Sequence, residues 1–193
     1  MADLNPPRPV LAAGKSREPS RNGDRAARES EERLLEFAEL LFFAYRDFTR
    51  DPDAILKDLH FGRAHHRVLH FVNRHSGLRV ADLLDILNIT KQSLSRVLKQ
   101  LIDKGYIVQQ AGSADRRERL LFPTEAGRAL AEQLAAPQLV RLEAALRAAG
   151  PAAAPILRQF LQAMINAEER PKVSSIMASS PVSLAGGGDG ETS

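Results

Sequence analysis

Between Val80 and Thr124 the pattern of apolar and polar positions changes period twice. Leu83, Leu84 and Leu87 recur at helical spacing with Asp82 and Asp85 turned outward, and the run ends at Asn88. Asn tolerates the left-handed backbone that a tight turn between two helices demands. Thr90 is then placed to cap a second helix by accepting a bond from a free first-turn amide. On that helix Leu94, Val97, Leu98 and Leu101 keep the three-and-four spacing of one buried face, and Gly105 stops it. Tyr106 to Gln109 and Leu120 to Phe122 read as two short strands around the charged loop Gly112 to Arg119.

Outside this stretch the pattern is helical. Ser30-Glu31-Glu32 opens a helix to about Phe48 that is apolar on most sides, through Leu34, Leu35, Phe37, Leu40, Leu41, Phe42 and Phe43. Such a helix must be buried against more than one neighbour, and in a chain this small a partner subunit is the better candidate. Thr49 to Asp58 reads as a connector broken at Asp51-Pro52. A helix from about Phe61 to Arg74 follows, with Ala64, Val68, Leu69, Phe71 and Val72 inward and Gly77 ending it. From Glu125 to about Ala149 the stripe is Leu130, Leu134, Leu139, Leu142 and Leu146, with Pro137 expected to kink or split the helix. A last helix, from about Pro155 to Ala167, carries Ile156, Leu157, Phe160, Leu161, Met164 and Ile165, again more apolar surface than one chain can cover.

The expected fold is mainly α with a small β-wing: a winged helix-turn-helix, dimerised through N- and C-terminal helices. Residues 1–29 should be a disordered basic arm and 171–193 a disordered tail, since both mix Pro, Gly and Ser without periodicity. Between them lies one domain, 30–170. Within it 30–50 and 125–168 are the dimerisation helices, and 60–124 is the winged lobe.

Charge sharpens that division. The whole chain nets +3, but His60 to Leu120 holds eleven lysines and arginines against five acids, +6, which leaves −3 for the remainder. A basic middle in an otherwise acidic body is the footprint of a polyanion binder. There is no cysteine, which excludes disulfides, Cys-ligated zinc and thiol switches. No apolar run approaches spanning length and the N-terminus has no apolar leader, so a cytoplasmic protein without membrane contact is expected.

The polar face of the second helix carries Lys91, Gln92, Ser93, Ser95, Arg96 and Lys99, with no acid before Asp103. Arg bonds guanine O6 and N7 together, Gln does the same with adenine N6 and N7, and small Ser residues allow close approach. Gln92, Ser93, Ser95, Arg96 and Lys99 are therefore candidates for the major groove of double-stranded DNA, with Thr90 and Lys91 at the backbone. The loop with Asp115, Arg116, Arg117 and Arg119 is a candidate for a second contact, at phosphates or in the minor groove. Asp115 reads as a turn residue that also orients a neighbouring arginine.

These residues resemble the MarR family of bacterial winged-helix regulators. The likeness rests on Ile89-Thr90-Lys91-Gln92-Ser93-Leu94-Ser95-Arg96, the Lys104-Gly105 stop, the wing signature Asp115-Arg116-Arg117, and Thr124-Glu125-Ala126-Gly127 at the next helix. Arg63 to Leu69 together with Ile89 to Ser93 resembles the PetP subgroup. The resemblance implies a homodimer on a pseudo-palindromic operator, repression relieved by a small-molecule inducer, and Arg117 as the wing residue in the minor groove. Two positions depart from the family pattern: Leu84 replaces a small residue at the helix crossing, and Asn88 replaces the turn glycine.

Other classes make different demands. All five histidines fall between His60 and His75, and His66 and His70 share a helical face at metal-bridging spacing, which defines a metal-responsive alternative. A third ligand must come from elsewhere, and Arg63, Arg67 and Arg74 repel a cation. No cofactor is implied. A histidine-dependent metalloenzyme would need an acid, base and nucleophile, but no Asp or Glu lies between His60 and His75 and there is no phosphate loop. A protein-interaction module without DNA binding would carry a neutral or acidic recognition face, and this one is cationic.

Overall fold

The computed structural model describes residues 21–113 and 115–178, with side chains from Asp24 onward. The expectations for residues 1–20 and 179–193 lie outside the described residues. The chain divides into two units, residues 1–45 and 46–193.

The element order is α1 (Arg21–Asp58), α2 (Arg63–Arg74), β1 (Leu78–Arg79), α3 (Val80–Leu87), α4 (Lys91–Asp103), β2 (Ile107–Ala111), β3 (Arg119–Pro123), α5 (Glu125–Ala149), α6 (Ala153–Met164) and α7 (Arg170–Ala178). The described part of the first unit is the leading two thirds of α1, residues 21–45. It starts nine residues before the expected Ser30. From Asp24 to Glu32 the segment holds good helix formers and the i,i+4 pair Arg25–Glu29 at 2.9 Å, which together outweigh the preceding glycine and prolines.

In the second unit α1 continues through the segment expected to be a connector. Pro52 lies inside the helix and removes the amide that would have bonded the Phe48 carbonyl. Gln138 of α5, itself buried, donates its Nε2 proton to that carbonyl at 3.2 Å. The orphaned acceptor is thus satisfied from another helix, and Pro52 packs fully buried beside it. Pro137 likewise leaves α5 unbroken. Residues 171–178, expected to be disordered, belong to α7, which starts at Arg170.

Helix α2 is the centre of the lobe. Val68, Leu69 and Val72 are buried against Leu83, Leu94, Leu98, Leu101, Ile107, Leu121, Leu130 and Leu134, in one core that also takes Leu56. Each such side chain contributes about 1.5–3 kcal/mol by leaving water. The sheet is antiparallel in the order β1-β3-β2, with Leu78 opposite Leu121 and Gln109 opposite Leu121 on the other side. The two-residue strand β1 was not foreseen, and β2 and β3 are longer than the sequence pattern suggested.

Candidate nucleic-acid interface

The angle between α3 and α4 is set by backbone chemistry at two residues. Asn88 sits in the left-handed region (φ 48°) and its amide bonds the Leu84 carbonyl at 3.0 Å. The Thr90 hydroxyl accepts from the Ser93 amide at 3.2 Å, an N-cap that contributes about 1 kcal/mol. At the other end Gly105 (φ 78°) donates to Ile102 and Tyr106 donates to Leu101, the paired bonds of a Schellman stop. Thr124 closes the same corner: its hydroxyl donates to the Gly105 carbonyl at 2.7 Å while accepting from Gly127 at 2.9 Å. A side chain at Gly127 would meet the Tyr106 carbonyl, so glycine is needed for the close approach of α5.

With α4 fixed in this way, Leu94, Val97, Leu98 and Leu101 face the core and Lys91, Gln92, Ser95, Arg96 and Lys99 face solvent. Two members of the expected face are already occupied. Ser93 is half-buried and its hydroxyl accepts from Thr90 at 2.9 Å, and Lys99 pairs with Asp103 at 2.6 Å.

The wing divides its charged residues in the same way. Asp115 accepts from the Arg117 amide at 2.8 Å and, through its carbonyl, from Glu118 at 3.0 Å. It therefore shapes the turn. Gly112 is buried beneath, where a Cβ would strike the Asp115 carbonyl. Arg116, Arg117 and Arg119 are all exposed, and the Arg119 guanidinium folds back onto the Arg116 carbonyl at 2.7 Å. Arg79, on the unforeseen strand β1, ties the wing to the lobe: it bonds Asp82 at 2.7 Å and Glu118 at 3.2 Å. Those carboxylates raise its already high pKa. The 39-residue separation of Arg79 and Glu118 left no local signal for this link.

Lys91, Ser95 and Lys99 of α4 and Arg117 and Arg119 of the wing line one cleft of about 830 Å³. Helix and wing thus present Lys91, Lys99, Arg117 and Arg119 to the same space, while Gln92, Arg96 and Arg116 lie outside its lining. A positive helix face beside an arginine-bearing hairpin suits a duplex, with the helix in the wide groove and the hairpin at backbone or minor groove.

The histidines are placed otherwise. His65 is buried, stacks on Phe61 at 4.4 Å, accepts at Nδ1 from the Gly62 amide at 3.1 Å and donates from Nε2 to Gln100 at 2.6 Å. It joins the start of α2 to α4. Among the described residues no three His, Asp or Glu side chains gather as a metal requires, so His66 and His70 find no third ligand there. Burial holds His66 below its ordinary pKa, partly opposed by Asp53. Among the described residues no helix is long and apolar enough to cross a membrane.

A helix-turn-helix with a three-stranded wing defines the class as a winged helix. The sequence profile of the MarR family matches residues 61–118. The chain is 50% identical over 137 residues to the HTH-type transcriptional regulator PetP of Rhodobacter capsulatus, covering 71% of this chain and 82% of that protein. The fold is similar to an uncharacterised SlyA-like transcription regulator of Listeria monocytogenes, with a TM-score of 0.57 and 21% identity over 75% of this chain and 96% of the other. The chain belongs to the MarR family of helix-turn-helix transcriptional regulators.

Proposed function

We propose that this DNA-binding regulator acts as a cytoplasmic homodimer on a pseudo-palindromic operator, as a repressor released by a small ligand. The observation that carries the DNA contact is the shared cleft of α4 and the wing. Gln92, Ser95 and Arg96 are exposed and read base edges in the major groove. Thr90 and Lys91 hold the backbone beside them. Arg117 enters the minor groove with Arg116 at the phosphates, while Asp115 and Arg119 support the wing from within. Ser93 and Lys99 join the groove contact by giving up the intramolecular bonds they now make.

Apolar surface supports the dimer. Phe37 and Phe42 of α1 are 61% and 73% exposed, and Ile156 and Phe160 of α6 are 65% and 50% exposed. Side chains of this size on a monomer surface mark an interface. Two-fold symmetry then sets paired recognition helices about 34–36 Å apart, one duplex turn. The 50% identity to PetP, a transcriptional regulator, supports the regulatory role.

Selection from a random duplex pool by the purified protein, followed by sequencing of the retained fragments, tests the proposal. Inverted repeats with half-site centres about 10–10.5 base pairs apart, or a multiple, are expected. Retention of no fragment at low ionic strength would overturn it.

A further inference from the structure

The start of α2 and the last turns of α4 are joined by a chain of hydrogen bonds whose polarity is fixed. The Gly62 amide can only donate, so His65 accepts from it at Nδ1, at 3.1 Å. The ring then carries its proton on Nε2 and donates it to Oε1 of Gln100 at 2.6 Å. His65 is buried and lies flat on Phe61 with ring centres 4.4 Å apart, so turning the ring over would break both bonds. One turn further along α4, Lys104 donates to the Leu59 carbonyl at 2.6 Å and sits 4.6 Å over the Phe61 ring. The end of α4 is thereby seated on the segment that leads into α2.

The consequence reaches the outer side of α4. With Oε1 held by His65, the Gln100 carboxamide turns its NH2 group away from the ring, and among the described residues nothing accepts those two protons. Gln100 is exposed, and with Gln92 and Arg96 it recurs at every fourth residue along one side of the helix. From Gln92 to Gln100 the helix rises about 12 Å, as far as the major groove is wide. A helix that lays Gln92 and Arg96 against base edges therefore brings Gln100 to the wall of the groove, where the phosphates are. Reading adenine takes both faces of a carboxamide, an acceptor and a donor. Gln100 has only its donors to offer, and phosphate oxygens only accept.

We propose that Gln100 is a further duplex contact, donating to a backbone phosphate beside the bases read by Gln92 and Arg96, and that His65 is the positioning residue that orients it. The contact rests on the proposed docking of α4 in the major groove. A free glutamine amide presents oxygen or nitrogen to a phosphate with equal ease, and the oxygen is repelled. His65 removes that choice before the duplex arrives. Such a contact carries no sequence information; it fixes how α4 sits in the groove.

Substitutions at Gln100 separate the inner bond from the outer one. Gln100→Glu keeps an acceptor for His65 and loses both donors. Its urea midpoint should equal or exceed that of the unaltered protein, while affinity for a duplex recovered from a random pool falls about tenfold or more with sequence preference unchanged. Gln100→Lys keeps donors and loses the acceptor, so its midpoint should fall while duplex affinity stays within about threefold. A purely structural bond predicts instead that affinity follows stability in both variants. At the ring, His65→Gln preserves an acceptor for Gly62 and a donor for Gln100 and should keep duplex affinity, whereas His65→Leu should lower it about threefold or more. The contact itself is read with duplexes in which one phosphate at a time is replaced by a neutral methylphosphonate. One position in each half-site should weaken the unaltered protein about threefold or more and leave Gln100→Leu unaffected. If every position weakens the two proteins alike, or if affinity tracks the urea midpoint through the Gln100 variants, the contact is overturned while the proposed function stands. Failure of the unaltered protein to bind any duplex would overturn the proposed function and the contact with it.

Discussion

Helices α4 and α6 are nearly equal in length, 13 and 12 residues, and both carry large aliphatic side chains at helical spacing. Their burial is opposite. Leu94 and Leu101 of α4 are 1% and 0% exposed, whereas Leu157, Leu161 and Met164 of α6 remain in contact with solvent alongside Ile156 and Phe160. Helix α4 has its apolar side covered within its own chain, which frees its polar side for DNA. Helix α6 has no such cover among the described residues, and its apolar side is the surface that the proposed dimer would bury. One hydrophobic rule thus yields a core in one place and an exposed apolar face in the other, depending on whether the chain itself supplies the opposing wall.

The contrast breaks most sharply in the core. Leu101→Ala should lower unfolding free energy by about 2–5 kcal/mol in urea titrations, because the cavity has no solvent to fill it. A loss below about 1 kcal/mol would mean that α4 is not anchored as described. Phe160→Glu should leave helix content unchanged but raise the dimer dissociation constant about a hundredfold or more by sedimentation, since a charge would be buried between subunits.

On the polar side the expected effects are smaller. Arg96→Ala should relax preference at one base pair by about 1–3 kcal/mol in competition binding. Uniform weakening with unchanged preference would assign Arg96 to phosphate. Arg117→Ala should lessen the slope of log affinity against log salt by about 1 while leaving sequence preference in place. An unaltered slope would remove Arg117 from the duplex.

Acid provides the mildest probe. His66 and His75 are both held below the ordinary value of 6.5, chiefly by burial. The unfolded chain therefore takes up protons first as pH falls. The stability that rests on these neutral rings is complete above about pH 7 and declines as pH drops through 6.5 toward their folded values. Urea midpoints should fall between pH 7 and 5.5, and His75→Gln should flatten part of that fall. His70 is lowered as well, by burial and then by His66, but its side chain stays exposed and solvent screening reduces its share.

What the sequence made legible was local. Asn88, Thr90 and Gly105 each act through a backbone group within a few residues, so spacing placed the turn, the cap and the stop, whereas Thr124 at the start of α5 came with the family resemblance and also bonds Gly105, 19 residues back. What escaped was non-local. Pro52 reads as a breaker until Gln138, 86 positions on, is seen to satisfy the carbonyl it orphans. Strand β1 exists only because Leu78 and Arg79 pair with β3. Helix α7 is hidden by a Ser-rich composition, and its docking depends on a lysine reaching Asp85. Within the interface the residue types were readable, but not which of them were already engaged. Ser93 in the cap, Arg119 folded on the wing and Arg79 bridging two carboxylates become visible only in three dimensions.

In the proposed complex two copies of this chain grip one duplex, each with α4 and its wing. Sedimentation of the protein with a duplex bearing a single recovered inverted repeat tests this most directly. The expected particle contains two chains and one duplex at low protein concentration, and Phe160→Glu should dissolve it. A particle of one chain per duplex, undisturbed by that substitution, would rule out the paired complex.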